Sequence, residues 1–328
     1  MNKLVSIISP CYNGETYVGR FIESVLNQTY DNIEFIIVND GSTDKTEEVI
    51  LSYQQRFEEK GYKFIYIYQK NAGQSAAINQ ALKIFTGDYL TWPDSDDFLP
   101  SSAILKQVRY LEENTEYGLV KGRVERVEDK TYKHLAFLTC GRPQKIHDFF
   151  FMLLKEFFPG GYMVRSSMFR AVMPKPLQIE TPREIGQNYQ MLLPVAYTYK
   201  CGVIDDVCYA YTARMNSHSH LKYSFEEQMN ILDISNMVLV NISNALNVDA
   251  TQHAIIEKAI EKRRLMQTLV YMLQYRRREK LDSVIEKLEV IRGLDDIAKS
   301  YVLRLKYPFY DLIYRAFCKI RRLIDSLF

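Results

Sequence analysis

Short apolar runs alternate with amphipathic stretches along the first hundred residues, and this alternation restricts the fold more than any other feature. The runs are LVSIIS (4–9), IEFIIV (33–38), KFIYIY (63–68) and DYLTW (88–92). They are β-branched or aromatic and bounded by turn residues, the pattern of buried strands. Between them, residues 15–28 set Tyr17, Phe21, Val25 and Leu26 near helical spacing. Residues 44–59 follow GSTDKTEE, where Ser42 or Thr43 can cap a helix and Glu47 or Glu48 falls in its first turn. Residues 74–85 supply a third helix. Strand and helix in alternation mean βαβ units and a parallel sheet. Such sheets bind ligands at the carboxyl ends of their strands. The polar loops SPCYNGE, NDGSTD, KNAGQS and PDSDD all follow a strand.

Further along, GLVKGRVERV (118–127) alternates apolar and polar residues like another strand. Residues 128–165 read as irregular, with FPGGYMV a tight turn into a short strand. Residues 183–199 read as a helix with Pro194 at its end or at a kink, and 203–220 run from a strand into a polar loop. After about residue 224 glycine almost vanishes (only Gly293 remains) and the period is helical. The expected organisation is an α/β domain over 1–222 and a helical region over 223–328. Forty-two basic against 40 acidic residues leave a net charge of +2, which argues against bulk nucleic-acid binding. Five scattered cysteines without a CxxC pair suit a reducing, cytoplasmic setting better than a disulfide or zinc framework. No apolar run approaches the ~20 residues of a membrane span.

The most unusual chemistry is in YLTWPDSDDFLP (89–100). Asp94, Asp96 and Asp97 crowd together at a strand end, where like charges repel. An Asp-x-Asp pair at period two presents both carboxylates to one side. Hard oxygen ligands in a shared pocket suit Mg²⁺ or Mn²⁺, held jointly with substrate phosphates. The competing reading is a solvated acidic turn, with Asp97 capping or orienting the helix over 100–113. Asn39-Asp40-Gly41-Ser42 can be a turn with an N-cap, or can offer Asp40 to a nucleobase N–H. Pro10 and Tyr12 can wall such a base.

Taken together, VSIISPCYNGETYVGRFIESVLNQTYDNIEFIIVNDGSTDKT and NAGQSAAINQALKIFTGDYLTWPDSDDFLP resemble the nucleotide-binding domain of the inverting family 2 glycosyltransferases. The resemblance is close over residues 3–115, fragmentary to about 220, and absent from the helical region. It implies the GT-A fold, a Rossmann-like α/β domain with a mostly parallel central sheet, here followed by a C-terminal helical appendage. It implies a nucleotide-sugar donor, UDP-linked in the first instance, and a Mn²⁺ or Mg²⁺ cofactor. Pro10, Tyr12 and Asp40 would contact uracil and ribose. Asn71, Gly73 and Asn79 would line the same pocket. Asp94 would reach the ribose side, and Asp96 would ligate the metal, with His218 a second candidate ligand. Gly160 and Gly161 would let backbone approach the donor sugar, and Arg214, near His218, would close over the diphosphate.

Two departures stand out. Relatives carry an Arg before the Asn of the third loop, where this chain has Ala77-Ile78-Asn79. Similar enzymes carry Glu-Asp where this chain has Gln187-Asn188. The Asp would be the general base, and an amide cannot take a proton at neutral pH. Glu184, about one helical turn before Asn188, is the candidate base, with Glu180 behind it. Residues 299–328 are basic and interleaved with aromatic and aliphatic residues. That face either packs on neighbouring helices or a second subunit, or lies on a membrane surface. The expected partners are thus a nucleotide sugar and a glycan or lipid-linked acceptor of the surface-polysaccharide kind. A homodimer and a peripheral contact at the inner face of the cell membrane are also compatible with the sequence. Two rivals remain. One is a UDP-sugar binder without transfer, which Gln187-Asn188 motivates. The other is a nucleotidyltransferase, disfavoured because SPCYNGE has no Lys or Arg.

Overall fold

The computed structural model describes residues 3–138, 149–154, 160–183, 186–214 and 223–325, and within 316–325 only the side chain of Cys318. The apolar runs form β1 (Val5–Cys11), β2 (Ile33–Asn39), β3 (Lys63–Tyr68) and β4 (Tyr89–Thr91). Between them lie α1 (Val18–Leu26), α2 (Thr46–Leu51), α3 (Gln54–Glu59) and α4 (Gln74–Leu82). These four strands are mutually parallel, in the order β3-β2-β1-β4. Their carboxyl ends therefore share one edge.

The sheet continues through β5 (Tyr117–Glu128), β6 (His134–Leu138), β7 (Tyr162–Arg165) and β8 (Lys200–Ala213). β7 is antiparallel to β4 and β5, and β6 is antiparallel to β5. β8 runs parallel to β5 along its whole length. α5 (Ala103–Glu113), α6 (Phe149–Leu154), α7 (Ser166–Val172) and α8 (Asn188–Thr198) complete this part of the chain.

Packing explains why these elements form. α1 buries Val18, Phe21, Ile22, Val25 and Leu26, one continuous helical face. Phe35 of β2 stacks on Phe57 at 5.2 Å, which stacks on Phe64 at 4.8 Å. Glu34 is buried in the middle of this strand layer, with hydrogen bonds from Ser6 Oγ (2.8 Å), Lys63 Nζ (2.8 Å) and Thr86 N (3.0 Å). Burial by itself would raise its pKa, but the Lys63, Thr86 and Ser6 hydrogen bonds hold it below the ordinary value.

Three local expectations change. The helix expected over 44–59 is two short helices, broken at Ser52-Tyr53, where Tyr53 N bonds to Ile50 O in a tighter turn. Residues 128–165 contain β6 and α6, and α7 follows β7 at once; all are too short for periodicity to reveal. The helix expected from 183 begins only at Asn188, with Pro194 inside it. Glu184, the candidate base, lies outside the described residues.

The chain divides into two compact units, Met1–Leu221 and Lys222–Phe328. The second is helical: α9 (Phe225–Ala245), α10 (Ala250–Tyr275), α11 (Leu281–Val290), α12 (Asp296–Lys306) and α13 (Pro308–Asp325). Ser224 and Glu227 form a capping box at the start of α9. Leu265, Leu269, Met272, Leu281, Val284 and Leu288 are among the residues of a separate core. Among the described residues, no helix is long and apolar enough to cross a membrane.

Candidate active site at the carboxyl edge of the sheet

Four loops leave the carboxyl ends of β1–β4, and their own backbone and side chains lace them together. Asn13, at φ 48°, donates its N–H to Ser42 Oγ at 2.9 Å and accepts from Thr43 N at 2.9 Å. Gly14 N donates to Thr46 Oγ1 at 2.6 Å. The second loop grips the third through Asp40, whose carboxylate accepts from Gln69 Nε2 (2.6 Å), Ala72 N (2.8 Å) and Gly73 N (2.8 Å). The gap is tight: a Cβ on Gly41 (φ +72°) would sit 2.5 Å from Asn71 N, so the turn requires glycine.

The fourth loop carries the acids. Carboxylate oxygens of Asp94, Asp96 and Asp97 lie within 4.8 Å of one another, close enough to share a metal ion. Their surroundings differ. Asp97 does not cap α5; it is buried and bound to β8, accepting from Tyr209 Oη at 2.6 Å and Thr212 N at 2.7 Å. Burial, then the charges of Asp96 and Asp94, push its pKa well above the ordinary value. The Tyr209 hydroxyl also accepts from Asp94 N at 3.1 Å, so one phenol ties two of the acids to β8.

Asp94 accepts from Gln74 Nε2 at 2.6 Å and is hydrogen-bonded by the Gln187 side chain. Burial, with the neighbouring Asp96 charge second, pushes it up to about 7. Asp96 is paired with the Arg214 guanidinium, which lies 4.2 Å over the Tyr17 ring. Its carbonyl accepts from Arg20 Nη2 at 2.5 Å, and the same nitrogen donates to Thr212 Oγ1 at 3.0 Å. Arg20 is itself stacked between Phe98 (5.4 Å) and Tyr132 (5.0 Å). The cluster thus offers Asp94 and Asp96 as candidate ligands of a hard cation, with both Asp97 oxygens already engaged.

The residues singled out from sequence fall into groups. Tyr12 is 45% exposed at the mouth, and Pro10 is buried in β1 beside Val38. Asn71 and Gly73 lie on the third loop against Asp40, and Arg183 Nη2 donates to Asn71 O at 3.0 Å. The amide of Asn79 is turned elsewhere: it donates to Ile179 O and accepts from Ile179 N, both at 2.8 Å, pinning the chain that leads to α8. Gly160 owes its lack of a side chain to Tyr209, since a Cβ there would meet the Tyr209 ring at 2.5 Å. Gly161 lies beside the same residue, and its carbonyl accepts from Gln107 Nε2 at 2.9 Å. Asn188 accepts from Trp92 Nε1 at 2.7 Å, so its carbonyl is occupied. His218 and Glu184 lie outside the described residues. Arg20, Gln74, Trp92 and Tyr209 were not singled out from sequence. Gln74 sits within the third loop motif, but Tyr209 comes 112 residues after the acid it binds, with no local signal.

Residues 6–177 match the family model described as Glycosyl transferase family 2. An uncharacterized glycosyltransferase of Rickettsia typhi is 45% identical over 108 residues, 33% of this chain and 32% of that protein. Glycosyltransferase GlyA of Streptococcus pneumoniae is 43% identical over 95 residues, 29% of this chain and 13% of that protein. The chain thus spans about a third or less of these two relatives. Among solved structures, S. aureus TarS 1-349 in complex with UDP-GlcNAc superposes with a TM-score of 0.63 at 17% identity, covering 92% of this chain and 83% of that one. The mannosyltransferase PcManGT from Pyrobaculum calidifontis, in complex with GDP-Man and Mn²⁺, superposes at 0.55 with 13% identity, covering 95% and 83%. These superpositions establish the GT-A fold.

The raised pKa of Asp94 gives a pH test. The folded state keeps a proton at about 7 that the unfolded chain releases near 3.8, so the stability Asp94 contributes is full at low pH and is lost as pH rises between those values. In metal-free protein, the melting temperature of wild type should fall more steeply over that window than that of Asp94→Asn. Equal slopes by calorimetry would show that Asp94 titrates normally.

Proposed function

The chain belongs to glycosyl transferase family 2, and from that premise we propose that it is a metal-dependent, inverting glycosyltransferase. It takes a nucleotide sugar, UDP-linked, and passes the hexosyl group to an acceptor hydroxyl. The observation that carries this reading is the pair Asp94 and Asp96 at the carboxyl edge of the parallel strands, beside Arg214. A divalent cation there would be held by Asp96 and, when bound, would supply Lewis-acid neutralisation of the departing nucleoside diphosphate. Pro10 and Tyr12 wall the base, Asp40 holds the third loop under it, and Asp94 faces the ribose. Arg214 keeps Asp96 neutralised and is the side chain best placed to meet diphosphate oxygens. Positioning and charge neutralisation supply most of the acceleration in such a displacement.

Thermal shifts with a panel of nucleotide sugars, with and without Mn²⁺, test the donor. At least one UDP-sugar should stabilise the protein in a Mn²⁺-dependent way, and Asp96→Ala should abolish the Mn²⁺-dependent part. A panel in which no nucleotide sugar stabilises the fold overturns the reading.

A second reading, a binder that does not transfer, is favoured by the amide at 188 with its carbonyl on Trp92. In the transferase reading Glu184 is the base that deprotonates the acceptor. Release of UDP from the stabilising donor separates the two: an active enzyme leaks slow hydrolysis, and Glu184→Gln should lower transfer by roughly a hundredfold or more, the scale of a general base. Wild-type turnover in that variant would remove Glu184 from the mechanism.

The acceptor is proposed to be lipid-linked or a surface glycan, met at the inner face of the membrane. Tyr307, Phe309, Leu312 and Ile313 are 53–72% exposed around the start of α13, in a stretch whose sequence goes on to Arg315, Lys319, Arg321 and Arg322. Co-sedimentation with anionic liposomes should be stronger for the full chain than for a 1–298 truncation; equal binding rules out this contact.

A further inference from the structure

Arg183 lies across the third loop, although it comes more than a hundred residues after it. Its Nη2 donates to Asn71 O at 3.0 Å. Its Cγ is 3.4 Å from the place a Cβ on Gly73 would take. The side chain therefore runs over Gly73 and ends at Asn71. The stretch that delivers it is held at two points. The Asn79 amide, from α4, donates to Ile179 O and accepts from Ile179 N, both at 2.8 Å. The Gln190 amide, from α8, accepts from Glu180 N at 2.7 Å and donates to Glu180 O at 3.0 Å. Arg183 follows three residues later, so both helices fix its approach to the loop.

The two ends of the third loop differ. Gln74, at its far end, reaches Asp94. Asn71, at its near end, abuts the second loop, where a Cβ on Gly41 would sit 2.5 Å from Asn71 N. The guanidinium is therefore at the Asp40–Gly41 end, away from Asp96 and Arg214. Asp40 itself is engaged there, accepting from Gln69 Nε2, Ala72 N and Gly73 N. Arg183 is exposed, and among the described residues it has one hydrogen bond and no ion pair. A guanidinium carries five N–H donors and no acceptor, so most of its donors are open to a ligand at this end of the site.

Resting on the nucleotide-sugar reading above, we propose that Arg183 donates to a keto oxygen of the base and so reads which base the donor carries. Chemistry narrows the partner. The diphosphate belongs to the other end of the site, with Asp96 and Arg214. The base lies on the Asp40 side of the third loop, the side on which the guanidinium ends. Uracil presents two keto oxygens, both acceptors, to a group that only donates. Arginine is the side chain that most often reads keto oxygens of bases elsewhere, because its planar fork matches a base edge. Asp40 and Arg183 then divide the work: the acid shapes the loop, and the cation laid over it meets the base.

The test is a binding cycle in the full chain with Mn²⁺, read by calorimetric titration. The ligands are UDP, 2-thio-UDP and 4-thio-UDP, in which sulfur, a poor acceptor, replaces one keto oxygen at a time. Wild type should lose about three- to tenfold in affinity for the analogue altered at the oxygen that Arg183 meets. Arg183→Met should bind UDP about tenfold more weakly, the scale of one charge-assisted hydrogen bond, and be indifferent to the same replacement. Arg183→Lys keeps a cationic donor and should recover part of the affinity together with part of the sensitivity. Sensitivity to the 2-thio or to the 4-thio analogue assigns the oxygen. A methionine variant that binds UDP as wild type does overturns the assignment. So does one that binds UDP more weakly yet still distinguishes the thio analogues as wild type does, because Arg183 then only braces the loop or meets phosphate. Both results leave the donor reading intact. Wild type that binds none of the ligands overturns the UDP reading as well.

Discussion

The hydrogen bonds between buried Asp97 and β8 hold the site together. A carboxylate at the end of an apolar strand is costly to bury unless its oxygens are satisfied. Tyr209 Oη and Thr212 N satisfy them, and the same phenol takes up Asp94 N. Phe98 then pairs with Ala210 through two backbone hydrogen bonds, extending the tie by one residue. The fourth loop is thereby fixed to a strand far away in sequence. Glycine at 160 follows from the same contact, since only a residue without Cβ leaves room for the Tyr209 ring. Arg214 lies just beyond the Thr212 anchor, which is why its guanidinium meets Asp96.

Fixing three acids side by side raises an electrostatic problem that the surrounding groups divide among themselves. Asp97 accepts hydrogen bonds from Tyr209 and Thr212, Asp94 is held by side-chain amides, and burial pushes the pKa of both up, while Asp96 is paired with the Arg214 cation. Arg20 acts on the backbone, holding the Asp96 carbonyl from a cage of Phe98 and Tyr132. The arrangement keeps the acids close enough for a shared cation. A cation that binds Asp96 meets the charge of Arg214 there. Release of that guanidinium toward an incoming diphosphate is the natural counterpart in the proposed function.

The amides at 187 and 188 show how one substitution pattern can carry two meanings. As a sequence, Gln-Asn in place of Glu-Asp reads as a lost base. In the folded chain the two residues do different things: Asn188 fastens α8 to Trp92 at the end of β4, and Gln187 supports Asp94. The helix begins at Asn188.

The sequence by itself determined the parallel β1–β4 core, the acid loop at its carboxyl edge and the helical character of the last hundred residues. These follow from local rules: β-branched runs bounded by turns, helical spacing, and loops that must follow strands. Gly41 and the Asp40 loop were legible for the same reason, because turn chemistry lies within a few residues. Tertiary structure alone decided which acids are equivalent. Asp94, Asp96 and Asp97 lie within four positions of one loop, yet their states are set by Gln74, Gln187, Arg214, Tyr209 and Thr212, which arrive from other elements. Likewise the amide of Asn79, legible as a pocket residue, turns out to clamp Ile179. Hydrogen-bond partners a hundred residues apart leave no periodic trace, so only the closed sheet reveals them.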